Sequence, residues 1–160
     1  LEVRSTLLSK EDNYEDFRTR RSLEVRMEDG WFVNVHMGWW NDECEPFKAQ
    51  WERLLKSLDM EERVYVLGDL NADANVRNEG YDLVCKSGFY DLYDLAQIKD
   101  DGMTVIKEID GWRDEGHKDK MRIDHIFTNQ PCEVTLCRTA FNDKEEPILS
   151  DHLGLMAVVK

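Results

Sequence analysis

Short strand-like segments outnumber helical segments in this sequence, and that ratio constrains the fold more than any other feature. Apolar or alternating patterns predict strands at residues 22–27, 31–36, 63–68, 103–108, 122–128, 133–140 and 153–159. Helical spacing of apolar residues predicts helices at 46–58 and 79–87 and a helical turn at 91–96. The sequence therefore predicts an α+β domain in which β-sheets have helices packed outside them.

Local signals define several ends of these elements. Asp29-Gly30, between the first two strands, predicts a tight hairpin turn. Pro46 suits the first turn of a helix, and Gly88 suits the end of the helix at 79–87. The densely charged segment 10–21 predicts a loop or an exposed excursion between strands.

Length and composition limit the class of protein. The 160 residues contain no repeat and no Pro/Gly-rich linker, which predicts one domain over 1–160. The net charge of −13 argues against a nucleic-acid partner, because Lys and Arg supply most affinity for a phosphate backbone. No apolar run approaches the roughly 20 residues that span a bilayer. With no signal-peptide pattern and four unpatterned cysteines, we expect cytoplasmic localisation and no membrane partner.

Polar residues gather at the ends of the predicted strands. They are His36, Asp69, Asn71, Asp124, Asp151 and His152. Taken singly, each has an ordinary structural interpretation, since an Asp-Leu-Asn triplet is usually a turn. Taken together, they predict a cleft with several carboxylates, which is tolerable if a divalent cation lies among them.

Four segments resemble motifs of the endonuclease/exonuclease/phosphatase superfamily, the DNase I-like metal-dependent phosphoesterases. They are 34–37 (NVHM), 68–72 (GDLNA), 122–127 (RIDHIF) and 150–154 (SDHLG). The resemblance implies a DNase I-like α/β-β/α four-layer sandwich, with two mostly antiparallel β-sheets packed face to face and helices outside them.

The family also has an N-terminal half with an early Asn and a metal-binding Glu. No segment before His36 resembles those motifs. The chain therefore resembles the C-terminal portion of such a domain, without the N-terminal part of the fold. We expect the isolated chain to be inactive, or to be completed by self-association or by a retained N-terminal fragment.

The resemblance implies a role for each catalytic residue. Asp69 would orient and deprotonate the attacking water, and Asn71 would hydrogen-bond that water or a phosphate oxygen. His152 would contact the scissile phosphate, and Asp124 would hold the tautomer of that histidine. His36 would bind the phosphate on the side of the leaving group.

The implied cofactor is Mg²⁺, with Mn²⁺ as the alternative. Its ligands would be Asp151, Asp69 and Asn71, since hard divalent cations prefer oxygen ligands. His125 projects from the strand face opposite Asp124, which indicates a core or supporting role.

Loops carry the candidate substrate-binding residues. Trp39 and Trp40 follow His36, and they could either form a flat wall for a sugar ring or pack in the core. Arg113 belongs to a charged run that could meet a substrate anion or form a solvated loop. An acidic rim at 42–45 would repel a nucleic-acid backbone and could hydrogen-bond sugar hydroxyls.

The segments 38–51 and 109–112 also resemble a bacterial branch of the superfamily that includes maltose 6′-phosphate phosphatase. We therefore predict a metal-dependent hydrolase, a phosphomonoesterase acting on a small sugar phosphate. The alternatives are an exonuclease III-like or DNase I-like nuclease and a non-catalytic binding fragment.

Overall fold

The structure, a computed structural model, describes residues 1–16, 18–107 and 120–160. The strands in these ranges are β1 (Glu2–Arg4), β2 (Leu23–Met27), β3 (Gly30–His36), β4 (Val64–Asp69), β5 (Tyr90–Asp91), β6 (Ala96–Lys99), β7 (Val105–Ile106), β8 (Lys120–Met121), β9 (Asp124–Thr128), β10 (Val134–Ala140) and β11 (Gly154–Val159). The helices are α1 (Phe47–Ser57), α2 (Gly80–Lys86) and the single turn α3 (Leu92–Leu95).

Two sheets dominate the described part of the chain. The main sheet has the order β1-β2-β3-β4-β9-β5, and the second sheet has the order β11-β10-β6. All neighbours in the two sheets are antiparallel except the parallel pairs β3–β4 and β6–β10. The prediction of mostly antiparallel sheets is confirmed.

The hairpin between β2 and β3 forms where the sequence predicts it. Met27 pairs with Gly30 across the two-residue turn. Gly30 has φ +123°, and a Cβ on it would lie 2.3 Å from the carbonyl oxygen of Arg63. Only glycine fits this turn, because a side chain would be both strained and in collision.

The main sheet buries both of its faces against different layers. Alternate residues such as Val33, Val66 and Phe127 pack into one core with Phe47 and Trp51 of α1. The opposite face packs against the second sheet through a cluster that contains Phe32, Tyr65, Leu67, Ile126, Leu155, Ala157 and Val159. All of these residues except Leu155 also line a cavity of about 810 Å³. The face-to-face DNase I-like arrangement is thus confirmed, with α1 against the outer face of the main sheet.

Several short elements differ from the prediction. The strand predicted at 122–128 begins only at Asp124, as β9, and a separate short strand before it, β8, pairs with β7. The strands β1, β5 and β6 were not predicted, because two to four residues carry too little periodicity to identify a strand. In the described ranges, no helix is both long enough and apolar enough to cross a membrane.

Candidate active site

Three of the predicted site residues lie in one row across the main sheet. His36 on β3 is the register partner of Asp69 on β4, and Asp69 is the partner of Asp124 on β9. Directly opposed residues project from the same face with Cβ atoms about 5 Å apart. The register therefore gathers these side chains on the face that packs against the second sheet. Nε2 of His36 lies 3.4 Å from Oδ2 of Asp69.

The second sheet contributes His152, from the loop that precedes β11. Nδ1 of His152 lies 2.8 Å from Oδ2 of Asp124, and both side chains are 18% exposed. The hydrogen bond to Asp124 raises the pKa of His152, because the carboxylate stabilises the imidazolium. With Nδ1–H donating to Asp124, the second ring nitrogen, Nε2, is the atom suited to contact a substrate.

The turn after β4 positions Asp69. Gly68 has φ +123°, and a Cβ there would lie 2.2 Å from the carbonyl oxygen of Val35. The carboxylate of Asp69 accepts a hydrogen bond of 2.8 Å from the backbone N–H of Asn71, which has φ +47°. Asn71 is buried, and its side-chain amide donates to the carbonyl oxygen of Met37. The Asp-Leu-Asn triplet is thus a turn, and this turn presents Asp69 to the row.

The electrostatics of the row suit a cation. Burial and the neighbouring charge of Asp124 raise the pKa of Asp69 to about 6. One ligand atom from each of Asp69, Asp124 and His152 lies within 4.8 Å of the others. A divalent cation would relieve the repulsion between the two carboxylates, and carboxylate oxygens are ligands of Mg²⁺ and Mn²⁺. The donor set therefore fits the predicted cofactor.

Solved structures with this architecture show what the chain is similar to. An endonuclease/exonuclease/phosphatase family protein from Leptotrichia buccalis matches 99% of this chain with a TM-score of 0.82 and 28% sequence identity. In fold and in sequence, this chain is similar to the endonuclease/exonuclease/phosphatase superfamily. The match covers 61% of the Leptotrichia chain, so this chain spans about three fifths of that structure's length.

Two further superfamily structures are similar in fold at lower identity. A mannosyl-6-phosphatase from Bacteroides thetaiotaomicron has a TM-score of 0.66 and 17% identity, covering 100% of this chain and 66% of that one. An AP endonuclease from Archaeoglobus fulgidus has a TM-score of 0.64 and 17% identity, covering 99% of this chain and 70% of that one. No family model and no curated protein matches the sequence.

The remaining candidate residues lie at different distances from the row. Asp151 is exposed and lies outside the three-residue cation group, although its charge acts on both His36 and His152. Trp39 and Trp40 line a surface depression of about 520 Å³ with Asp42 and other polar residues. None of Asp69, Asp124 and His152 lines that depression. Arg113 lies outside the described residues, as does the segment 109–112.

Trp40 also contacts the core. Its ring centroid lies 6.4 Å from that of Phe47, whereas Trp39 is 40% exposed. Trp39 is therefore the better placed of the two tryptophans to meet a ligand at the surface.

A buried network supports the site from the opposite face of the sheet. His125 points away from the row, as predicted, and its Nε2 lies 2.8 Å from the carbonyl oxygen of Ala72. Nδ1 of His125 lies 3.3 Å from the guanidinium of Arg122, which forms an ion pair with Asp91. The network thereby anchors the loop that follows Asp69.

Two residues of the site were missed by sequence reasoning. Arg20 places Nη1 3.4 Å from Nδ1 of His36. Partial desolvation and the charge of Arg20 lower the pKa of His36. Thr104 is fully buried, and its Oγ1 accepts from the backbone N–H groups of Ile123 and Asp124. Arg20 lies in the predicted loop 10–21, and Thr104 lies inside the strand predicted at 103–108, so neither stood out as a polar residue that interrupts an apolar run.

Thr104 connects the two halves of the Asp124–His152 pair. Its carbonyl oxygen accepts a 2.7 Å hydrogen bond from the backbone N–H of Leu153, directly after His152. We expect Thr104→Val to lower the free energy of unfolding by about 1 to 3 kcal/mol, because buried N–H groups lose their acceptor. Urea unfolding measures this loss. Thr135→Val is the matched control, since Oγ1 of Thr135 only donates to the Val158 carbonyl. An equal loss in both variants would contradict the prediction.

Proposed function

We propose that this domain hydrolyses a phosphomonoester with the help of a divalent metal, and that its substrate is a small sugar phosphate. The observation that supports the proposal is the row of His36, Asp69 and Asp124, together with the pairing of Asp124 and His152. This arrangement brings a candidate general base, an oriented histidine and a carboxylate able to bind a cation together at one end of β3, β4 and β9.

Each side chain has a chemical task in this proposal. Asp69 orients the attacking water and accepts its proton, which a carboxylate with a pKa near neutrality does best. His152 donates a hydrogen bond to the phosphoryl oxygens, and Asp124 stabilises the imidazolium that carries this charge. His36 contacts the phosphate from the other end of the row.

Asp69 and Asp151 are the residues that would hold Mg²⁺ or Mn²⁺, with Asn71 beside them. When bound, the ion lowers the pKa of a coordinated water and neutralises charge on the phosphate. Asp124 is committed to His152 through Oδ2, which favours Asp69 as the principal ligand of the row.

Charge supports a small substrate over a nucleic acid. The chain has a net charge of −13. Asp42, Glu43 and Glu79 line the depression of Trp39 and Trp40, together with one cation, Arg18. A polyanion would be repelled by this surface, whereas sugar hydroxyls would find acceptors there. The fold does not decide between the two substrates, because superfamily neighbours include both a mannosyl-6-phosphatase and an AP endonuclease.

The test measures phosphate release from mannose 6-phosphate and maltose 6′-phosphate, in parallel with nicking of plasmid DNA. We expect release that requires Mg²⁺ or Mn²⁺ and is abolished by EDTA. The intact mass of the preparation is measured first, because the chain spans about three fifths of the length of the first matched structure. Metal-dependent nicking without release from either sugar phosphate would instead establish a nuclease. Binding of Mn²⁺ without turnover of any substrate would favour a binding domain.

A further inference from the structure

Arg20 lies at the catalytic row although it belongs to a loop. It lies near the end of the charged segment 10–21, three residues before β2 begins. Its guanidinium contacts His36 at 3.4 Å, and its positive charge acts on the carboxylate of Asp69. A cationic side chain that precedes the predicted catalytic residues in the sequence therefore lies beside them in the fold.

The backbone of Arg20 is held on both sides. Its carbonyl oxygen accepts hydrogen bonds from Leu8 at 2.9 Å and from Ser9 at 3.3 Å. Its N–H donates to Oγ of Ser9 at 2.7 Å. Leu8 and Ser9 are both buried. The backbone position of Arg20 is thus fixed, and this places the base of its side chain beside the row.

Arg20 differs from its two arginine neighbours in how its charge is used. Arg18 forms an ion pair with Asp16, and Arg21 forms one with Asp12. Within the described ranges, Arg20 has no carboxylate oxygen within 4 Å, although the chain contains 34 acidic residues. A half-buried guanidinium that contacts only an imidazole retains donors for an anion at the row.

The contact with His36 also orients that imidazole. A guanidinium has only N–H donors, so Nδ1 of His36 must accept the hydrogen bond. The ring proton then lies on Nε2, which faces Asp69. At the His36 end of the row, the positive charge is therefore carried by Arg20, and His36 is neutral in this tautomer.

We propose that Arg20 binds the substrate phosphoryl group and selects phosphomonoesters over phosphodiesters. This inference rests on the proposed function, whose substrate class it would explain. The phosphoryl group of a monoester carries close to two negative charges above its second pKa of about 6, whereas a diester carries one. Guanidinium donors match paired phosphate oxygens geometrically, and the extra charge of the monoester strengthens each bond.

The experiment compares the binding of two small anions, neither of which is a phosphomonoester that the proposed activity could hydrolyse. Orthophosphate, largely dianionic at about pH 8, represents the monoester, and dimethyl phosphate represents the diester. Isothermal titration calorimetry measures both affinities in Mg²⁺ buffer for the wild-type chain and its variants. Arg20→Gln is expected to raise the Kd for orthophosphate by about 10- to 100-fold and the Kd for dimethyl phosphate much less. Arg20→Lys should recover part of the orthophosphate affinity, because lysine keeps the positive charge. The recovery should be incomplete, because lysine lacks the paired N–H donors of the guanidinium.

The matched control is Arg21→Gln, which removes the neighbouring guanidinium and its ion pair with Asp12. It should leave both anion affinities unchanged. Circular dichroism and thermal unfolding establish that each variant is folded, and Arg20→Lys carries the test if Arg20→Gln is destabilised. Unchanged orthophosphate affinity in both Arg20 variants, or equal weakening of both anions, would overturn the proposal. If the wild-type chain binds neither anion, both the role of Arg20 and the proposed phosphoesterase site are wrong. If the wild-type chain binds orthophosphate and the Arg20 variants bind it equally well, only the role of Arg20 is wrong.

Discussion

Replacing Asp69 with asparagine is expected to lower the rate of phosphoester hydrolysis by about 1,000-fold. The amide preserves the shape of the side chain and can still accept the hydrogen bond from the Asn71 backbone, but it cannot take a proton from water. It also removes one of two carboxylates that meet across the β4–β9 pair. We therefore expect weaker Mn²⁺ binding in Asp69→Asn, together with an unchanged or raised thermal midpoint, because like charges opposed across strands repel.

The control for this variant is Asp59→Asn. Asp59 is exposed, and its carboxylate accepts a backbone hydrogen bond from Glu61 in the same local pattern. Steady-state kinetics and Mn²⁺ titration by electron paramagnetic resonance are measured on both variants. Full activity in Asp69→Asn would remove Asp69 from the catalytic role and leave the row without its base.

Replacing Arg122 with methionine is expected to destabilise the protein by about 3 to 5 kcal/mol. Arg122 and Asp91 are both almost completely buried, and the guanidinium also lies 4.4 Å from the ring centroid of Tyr93. Removing the cation leaves the Asp91 carboxylate buried without its main partner. The hydroxyl of Tyr81 still donates to that carboxylate at 3.1 Å, but a neutral donor compensates only part of the loss.

Urea unfolding measures this loss, with Arg26→Met as the matched control. Arg26 pairs with Glu62 on the surface, where an ion pair contributes at most about 1 kcal/mol. The double variant Asp91→Leu/Arg122→Met should lose less stability than the sum of the single variants, because no charge is left unpaired. Equal losses in Arg122→Met and Arg26→Met would show that the buried pair contributes no more than a surface pair.

The same pair gives the stability a defined dependence on pH. Burial would raise the pKa of Asp91, but interactions with His125 and Arg122 lower it from 3.8 to about 2. Because the folded pKa lies below the unfolded value, the ionised carboxylate stabilises the fold above about pH 4. This contribution, about 2 kcal/mol, is lost as the pH falls toward 2. The stability difference between wild type and Asp91→Asn should therefore shrink over that interval.

The sequence was sufficient where local chemistry determines structure. The Asp-Gly turn, the apolar face of α1 and the end of α2 before Gly88 each follow from a few neighbouring residues. The strand-end positions of His36 and Asp69 were also predictable, because a polar residue interrupts an apolar run there. Their assembly into one row is a property of register, which links residues more than 30 positions apart.

Other parts of the site depend on long-range contacts that leave no local pattern. Arg20 is one of three arginines in four consecutive residues, and only the hydrogen bonds of its backbone to Leu8 and Ser9 direct it toward the row. Thr104 occupies a short irregular segment, and its partners are brought near by the pairing of β7 with β8. Charge and periodicity do not distinguish such residues from their neighbours.

The row of His36, Asp69 and Asp124 would make the proposed catalysis sensitive to strand alignment, because its residues come from three different strands. A slip of two residues between β4 and β9 would keep every apolar side chain facing its own layer. The same slip would carry Asp124 about 7 Å along the sheet, out of reach of Asp69. The proposed activity would therefore report whether β4 and β9 have paired in this register, and we expect loop insertions to preserve it only if they leave that alignment unchanged.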